Sequence, residues 1–332
     1  MRKPAIFAVL LAATLVLAAC GGSETGPGAK AVTLTLNWYP YGEHAPFYFG
    51  VKQGIFAKHG IDLKIQAGQG SGKTVQAAAA NQTDFGWADT SALAAAVEQG
   101  VAVKSVGVFL QTTPASVQFF QEKNIGKPQD LKGLKVATTA GDALTKTFPA
   151  FLKQNGMAET DVQIQNIDPA GKMAAVISGR ADVLLGFASD QGPTIQEKAG
   201  KPVSYLRFSE FGLNYYSNGL ITSGGTLGKD PDLVKRMVAA TAESWTAAEK
   251  DPQAAVDTMK GASQQLPSPA VLVEQFKTTV TLLHTDATKT SGPGVNTAAD
   301  WKSTIETFLR TGVITKAQEP GAYWEESVAP RG

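Results

Sequence analysis

Residues Thr33-Leu-Thr-Leu-Asn-Trp-Tyr-Pro-Tyr-Gly-Glu-His-Ala-Pro-Phe-Tyr-Phe49, continuing through Gly-Val-Lys-Gln-Gly-Ile-Phe56, set the reading of the whole chain. The stretch opens with period-2 alternation, the pattern of a strand. It breaks at Pro40 and Gly42 and resumes at Ala45-Pro46. Pro46 suits a first helical turn, where its missing N–H would have had no partner. Phe47, Val51, Ile55 and Lys58 follow at helical spacing, Gly60 supplies a stop, and Ile61 to Ile65 reads as a second strand. Asn37, Trp38, Tyr39, Tyr41, Glu43 and His44 therefore crowd a loop at the carboxyl end of a strand. Open α/β sheets bind their ligands there.

Ahead of this unit lies a leader. Arg2 and Lys3 are followed by an apolar run, Ala5 to Leu17, too short to span a bilayer comfortably. Leu17-Ala-Ala-Cys20 then resembles a bacterial lipoprotein signal, which predicts a signal peptide over 1–19 and lipid attachment at Cys20. Residues 20–30, rich in Gly, Ser and Thr, read as a flexible tether. Cys20 is the only cysteine, so the remaining chain has no internal disulfide, thiol nucleophile or thiolate metal ligand. His44, His59 and His284 lack ligand spacing, and neither a metal nor a cofactor is expected. The formal charge is +1; without Arg2 and Lys3, 28 basic residues face 29 acidic ones, a formal −1. No basic stripe points to nucleic acid. Roughly 300 residues exceed what one compact core usually uses, so two lobes are expected.

Along the chain, helix and strand patterns alternate to about residue 208, the signature of parallel sheets flanked by helices. Helices are expected over 75–80, 92–98, 143–154, 171–178 and 191–198. Pro149 should kink or interrupt the third of these. Val75 to Asp89 resembles Met173 to Asp190: each reads helix, polar turn, buried strand, then an Asp opening a further helix. This predicts two similar lobes. From Pro231 onward the pattern is helical, and Gly219 to Ser223 looks like a strand returning to the first lobe. Crossovers near Thr112–Phe119 and Tyr215–Ser223 divide the chain into lobe one, 31–115 plus 220–332, and lobe two, 116–219.

The strand ending in Asn37-Trp38 and Pro40, the His44 that follows, and Gly54-Ile-Phe56 resemble the solute-binding proteins of ABC importers. Gly54-Ile-Phe-Ala-Lys-His-Gly-Ile-Asp-Leu63, Gly70-Ser71, Thr83-Asp-Phe-Gly86, Asp130-Leu-Lys-Gly-Leu-Lys-Val136 and Ser178-Gly-Arg-Ala-Asp182 extend the likeness. The subfamily it points to holds the binders of thiamine pyrimidine precursors and of sulfonates, nitrate and taurine. The resemblance implies an α/β, two-lobe periplasmic-binding-protein-like fold (type II). Its sheets would be parallel-rich and flanked by helices, with two hinge crossovers and a ligand taken up between lobes that close on it. It also implies a monomer that partners a permease and ATPase subunits, held by its lipid at the outer face of a membrane or in the periplasm.

Candidate contacts follow from turns where strands meet helices. In the first loop they are Asn37, Trp38, Tyr41 and His44. Ala67-Gly-Gln-Gly-Ser-Gly-Lys-Thr74 nearly spells a phosphate loop, but Ala67 stands where the pattern needs Gly. Gly70 and Ser71 instead offer backbone N–H groups at a helix start. Trp87, Asp89 and Thr90 form the next turn, in which Asp89 also reads as a helix cap. Thr113 lies on the first crossover. Thr139, Gly141 and Asp142 form the analogous turn of lobe two, and Phe187 with Asp190 another; Asp190 suits an exocyclic amine. Tyr215 and Tyr216 precede the return strand. Pyrimidine synthases related by the same resemblance carry a cysteine-rich motif. Its absence points to binding over catalysis, with His44 a binder or a helix-capping residue. Few arginines and many aromatics favour a flat, weakly charged nitrogen heterocycle such as a thiamine pyrimidine precursor over a sulfonate. The alternatives are riboflavin, another aromatic compound, or an enzyme of pyrimidine precursors on the same scaffold.

Overall fold

A computed structural model describes residues 28–330; the leader and the lipidated cysteine expected from the sequence lie outside the described residues. The chain begins with β1 (Lys30–Thr35), α1 (Ala45–Lys52), α2 (Ile55–Lys58) and β2 (Ile61–Gln66). Pro46 sits in the first turn of α1. The single helix expected here is two, because Gly54 adopts φ +71° between them. Val51 consequently faces solvent. Next come α3 (Ser71–Ala79), β3 (Phe85–Asp89), α4 (Thr90–Glu98) and β4 (Val103–Val108). Helix α3 starts four residues before the expected Val75, inside the Gly-Ser loop itself.

The chain then crosses to a second sheet: β5 (Ala115–Phe120), β6 (Lys135–Thr138), α5 (Leu144–Gln154), β7 (Gln163–Asn166), α6 (Lys172–Ile177), β8 (Val183–Phe187), α7 (Gln191–Ala199) and β9 (Val203–Arg207). Pro149 does not interrupt α5. It deletes one ladder bond, to the carbonyl four residues back, while Phe148 and Phe151 anchor the helix on Phe208, the latter pair stacked at 4.2 Å. The return brings β10 (Asn218–Ser223), α8 (Gly224–Lys229), α9 (Pro231–Lys250), α10 (Pro252–Asp257), α11 (Pro269–Val280), α12 (Ala298–Thr311) and α13 (Pro320–Tyr323). The sequence pattern missed α8, whose GGTLGK composition has little helical signature.

The sheets share one design. The orders are β2-β1-β3-β10-β4 and β7-β6-β8-β5-β9. In each, the first three strands are parallel, and the fourth runs antiparallel to its neighbours. That fourth strand is the one arriving from the other lobe, so each crossover ends in a central strand. The repeat read from the sequence is real: β3 and β8 occupy equivalent places. The expected boundaries shift slightly. Ala115 pairs with Phe187 in the second sheet, whereas Asn218 and Gly219 pair with Asp89 and Ala88 in the first.

The two crossovers lie side by side, with the Ser217 N–H donating to Leu110 O at 2.8 Å and Leu110 N–H to Asn218 O at 2.9 Å. Lobe one is filled by Phe47, Trp87, Phe109 and Trp245, whose rings pack within 6 Å of one another along Phe47–Trp87–Trp245 and Trp87–Phe109. Helix α9 lies on α1 so closely that a Cβ at Gly50 would meet Ser244 Oγ at 2.0 Å.

Candidate functional site

Loops from both lobes enclose a narrow cleft. Asn37, Trp38, Tyr41, Gly70 and Ser71 face Asp142, Ala143, Leu144, Gly186, Phe187, Asp190 and Gln191. The lobes touch: Gly72 N–H donates to Gly141 O at 3.1 Å. What remains between them is about 20 Å³, room for about one water molecule. A second cavity of similar size continues outward past Trp38, Tyr39, Pro40 and Lys172.

The first loop is rigid because its polar groups are used internally. His44 is fully buried. Its Nε2 meets Asn37 Oδ1 at 2.8 Å, and its Nδ1 accepts from the Tyr41 N–H at 3.3 Å. That pairing fixes the neutral tautomer with hydrogen on Nε2, and burial depresses the imidazole pKa to about 3. His44 thus orients Asn37 from behind and does not line the cleft, in contrast to its expected role as a contact. Glu43, placed in this loop by the sequence but not among the candidate contacts, is a buried hub. Tyr41 Oη donates to it at 2.5 Å, and Trp87 Nε1 and Asn218 Nδ2 each at 2.6 Å. Burial raises its carboxyl above the usual range, partly offset by these three donors.

Several other candidates turn out to support the cleft without lining it. Trp87 stacks on Trp245 in the core of lobe one. Asp89 caps α4, accepting from Ser91 N–H at 2.8 Å and from Ser217 Oγ at 2.6 Å. Thr90 Oγ1 donates to Tyr216 O. Tyr216 itself packs on Trp301 and donates to Asp300 Oδ2 at 3.0 Å. Tyr215 packs on Phe308. Thr113 holds the first crossover, where its Oγ1 accepts from Ala115 N–H and its N–H donates to Asn214 Oδ1. Thr139 ties its turn to Ile167 O at 2.8 Å. None of these residues lines either cavity of the cleft.

The residues that do face the cleft come together as follows. Gly70 has φ +121°, and a Cβ there would lie 2.6 Å from Gly141 O, so only glycine lets the lobes meet. Ser71 Oγ accepts from Asp89 N–H at 3.1 Å, which leaves its own hydrogen free to donate. Asp142 caps the start of α5 through Leu144 N–H and is paired with Lys172 at 3.1 Å. Lys172 was also missed by sequence reading. It is almost fully buried, donates to Leu185 O at 2.8 Å, and lies over the Trp38 ring at 4.8 Å. A lysine in the first turn of a helix opposes the helix dipole; that oddity was the available signal. Asp190, unlike its counterpart Asp89, makes no cap bond to its helix. Its carboxyl takes a bond from the Gln191 side chain and faces the cleft. Burial pushes it well up, Lys172 pulls it back, and Glu43 and Asp142 add to the rise.

Among the described residues no arginine lines the cleft. Arg180 meets Ser178, Arg207 pairs with Glu210, Arg236 donates to His59 O and Arg310 to Gln154. Among the described residues no cluster of His, Cys, Asp or Glu is fit to hold a metal ion, and no helix is long and apolar enough to cross a membrane.

Known proteins share both the sequence and the shape. A family model described as NMT1/THI5 like matches residues 42–255. Riboflavin-binding protein RibY of Chloroflexus aurantiacus is 27% identical over 70% of this chain and 66% of its own length. The formylaminopyrimidine-binding protein of Halalkalibacterium halodurans is 24% identical over 64% of this chain and 65% of its own. The chain thus spans just under two thirds of these two relatives. A 4-amino-5-hydroxymethyl-2-methylpyrimidine phosphate synthase of Legionella pneumophila is 25% identical over 72% of this chain and 75% of its own length. Among solved structures, the alkanesulfonate-binding protein SsuA of Xanthomonas axonopodis pv. citri superposes with a TM-score of 0.67 at 15% identity, over 89% of this chain and 98% of that one. That likeness confirms the two-lobe, periplasmic-binding-protein-like fold. By the match over most of its length, the chain belongs to the NMT1/THI5 like family.

Proposed function

We propose that this protein is the solute-binding component of an ABC importer. It is exported, lipid-anchored through Cys20, and captures a small planar nitrogen heterocycle between its lobes for delivery to a permease. The observation that carries the ligand class is the charge of the cleft. The one cation among the described residues lining it, Lys172, is paired with Asp142, and Asp190, which the same ammonium also stabilises, forms no ion pair. A buried acid in that position gains from a ligand that donates hydrogen bonds or carries positive charge. An aminopyrimidine offers an exocyclic amine to Asp190, a flat face to Trp38 and Phe187, and ring acceptors to Ser71 and Asn37. A sulfonate or nitrate would meet acids where it needs arginine. The name of the formylaminopyrimidine-binding relative agrees with this reading. Binding is favoured over turnover because His44, the group nearest to a general base, is enclosed with both ring nitrogens engaged.

The test is a thermal-shift and calorimetric screen of pyrimidines, riboflavin, taurine and nitrate. A ligand that binds only the folded state raises its stability by mass action. The expected outcome is a rise in Tm with 4-amino-5-hydroxymethyl-2-methylpyrimidine, lost in Trp38→Ala, and no product formed. A response to taurine or nitrate alone would refute the ligand class; a product would refute the binder.

A further inference from the structure

Several contacts join the lobes, among them Ser268 Oγ to Glu197 and Arg310 to Gln154, and two at the cleft itself differ in kind. At one, Gly72 meets Gly141 through the backbone. At the other stands Gln275, a fully buried residue of α11. Its Oε1 accepts from Gly42 N–H at 2.9 Å. Its Nε2 donates to Asp190 O at 2.7 Å and to Thr194 Oγ1 at 3.2 Å. One amide therefore holds the first loop, which carries Trp38 and Tyr41, and the α7 start, which carries Asp190. Gly42 packs so close to α11 that a Cβ would lie 2.4 Å from Leu272 O and 2.5 Å from Gln275 Cβ. The loop–α11 contact is thus fixed within lobe one. The two Nε2 bonds are different: both acceptors belong to lobe two, so they break whenever the lobes part. Gln275 lines neither cavity of the cleft.

We propose that Gln275 is the latch of the closed cleft and the positioning residue for Asp190, setting how long a ligand is retained without touching it. The proposal rests on the reading that ligand is held between the lobes. A neutral amide suits the task, because its two ends are chemically distinct: the acceptor end stays with lobe one, and the donor end engages lobe two only on closure. Loss of a closure contact is read in dissociation, since association depends on the loops that first meet the ligand.

Two variants separate the latch from packing. Gln275→Glu keeps the acceptor for Gly42 and removes both interlobe donors; Gln275→Met removes all three bonds at similar volume. With 4-amino-5-hydroxymethyl-2-methylpyrimidine as probe, stopped-flow tryptophan fluorescence should show the dissociation rate raised about tenfold in both, with association changed less than threefold. A role in packing alone predicts a lower Tm with unchanged dissociation, which would overturn the proposal. A readout that needs no ligand accompanies it. Spin labels at Thr246→Cys on α9 and Lys153→Cys on α5, in the Cys20→Ser chain, report the interlobe distance. Gln275→Glu should reduce the short-distance population at least threefold, and an unchanged distribution would overturn the latch. Failure of the wild type to bind the pyrimidine would instead count against the ligand class, leaving the distance measurement to decide on Gln275.

Discussion

The Lys172 ammonium lies 4.8 Å from the centroid of the Trp38 ring, one residue from each lobe. The same ammonium is 3.1 Å from Asp142, and both side chains of that ion pair are nearly or fully buried. A cation is therefore spent on organising the cleft wall, where it orients the aromatic face across from Phe187. Removing it leaves the nearly buried Asp142 without its cation, with only the Leu144 N–H still donating to it. Lys172→Met should destabilise the protein by about 3–5 kcal/mol, and Lys172→Met with Asp142→Leu should recover most of that loss. Chemical denaturation of the single and double variants measures it; equal midpoints for wild type and Lys172→Met would show that the pair contributes nothing.

His44 makes stability depend on acidity in a known direction. Its pKa is about 3 in the fold and about 6.5 in the unfolded chain. Between those values the unfolded chain binds the extra proton, so the stability His44 contributes is complete above about pH 6.5 and falls as pH drops toward 3. The slope approaches ~1.4 kcal/mol per pH unit. Glu43, Asp89 and Asp190, whose carboxyls burial raises, act in the opposite sense. The comparison of wild type with His44→Phe isolates the histidine. Their stability difference should be flat above pH 7 and shrink steadily from pH 6.5 to 4.5; a pH-independent difference would contradict the enclosed neutral imidazole.

Gly70 limits how closely the lobes approach. Gly70→Ala introduces a Cβ 2.6 Å from Gly141 O at a φ of +121°. Backbone strain of this kind costs about 1–3 kcal/mol. Gly133→Ala is the control, with φ +77° and open space around it. Both variants should lose stability on thermal melting. Only Gly70→Ala should also weaken ligand binding in calorimetry, and equal affinities in the two would show that this contact is incidental.

Cys20 lies outside the described residues, and its role rests on the sequence. Cys20→Ala should shift the protein from the membrane fraction to the soluble fraction of cells, followed by immunoblot. Continued sedimentation with membranes would mean another segment provides the anchor.

Asp89 and Asp190 show what could be read in advance and what could not. The two stand at matching places in the repeat, each opening the helix that follows the third strand of its sheet, Asp89 as that strand's last residue and Asp190 three residues past it. The pattern of helix, turn, strand and acid was legible because burial imposes its period on the sequence locally. The alternation of helix and strand, the return strand near Gly219 and the first loop that carries Asn37, Trp38 and Tyr41 followed from such local signals, while two lobes were expected from chain length and the repeat. The fate of each acid did not. Asp89 is consumed by Ser91 and Ser217, while Asp190 is held by its backbone carbonyl at Gln275 and turns its carboxyl into the cleft. Trp87 and His44 were placed near the site by their neighbours in sequence, yet Trp245 and Asn37 draw them into the core and behind the loop. Glu43 was legible only as a residue of the first loop, Lys172 only as a misplaced charge in a helix's first turn, and Gln275 not at all, because their partners lie far away in sequence. Residue type and periodicity determined the elements, the lobes and the loop that lines the cleft. Which side chains point into the space between the lobes was decided only by the tertiary structure, since a buried polar group goes where its hydrogen-bond partners are.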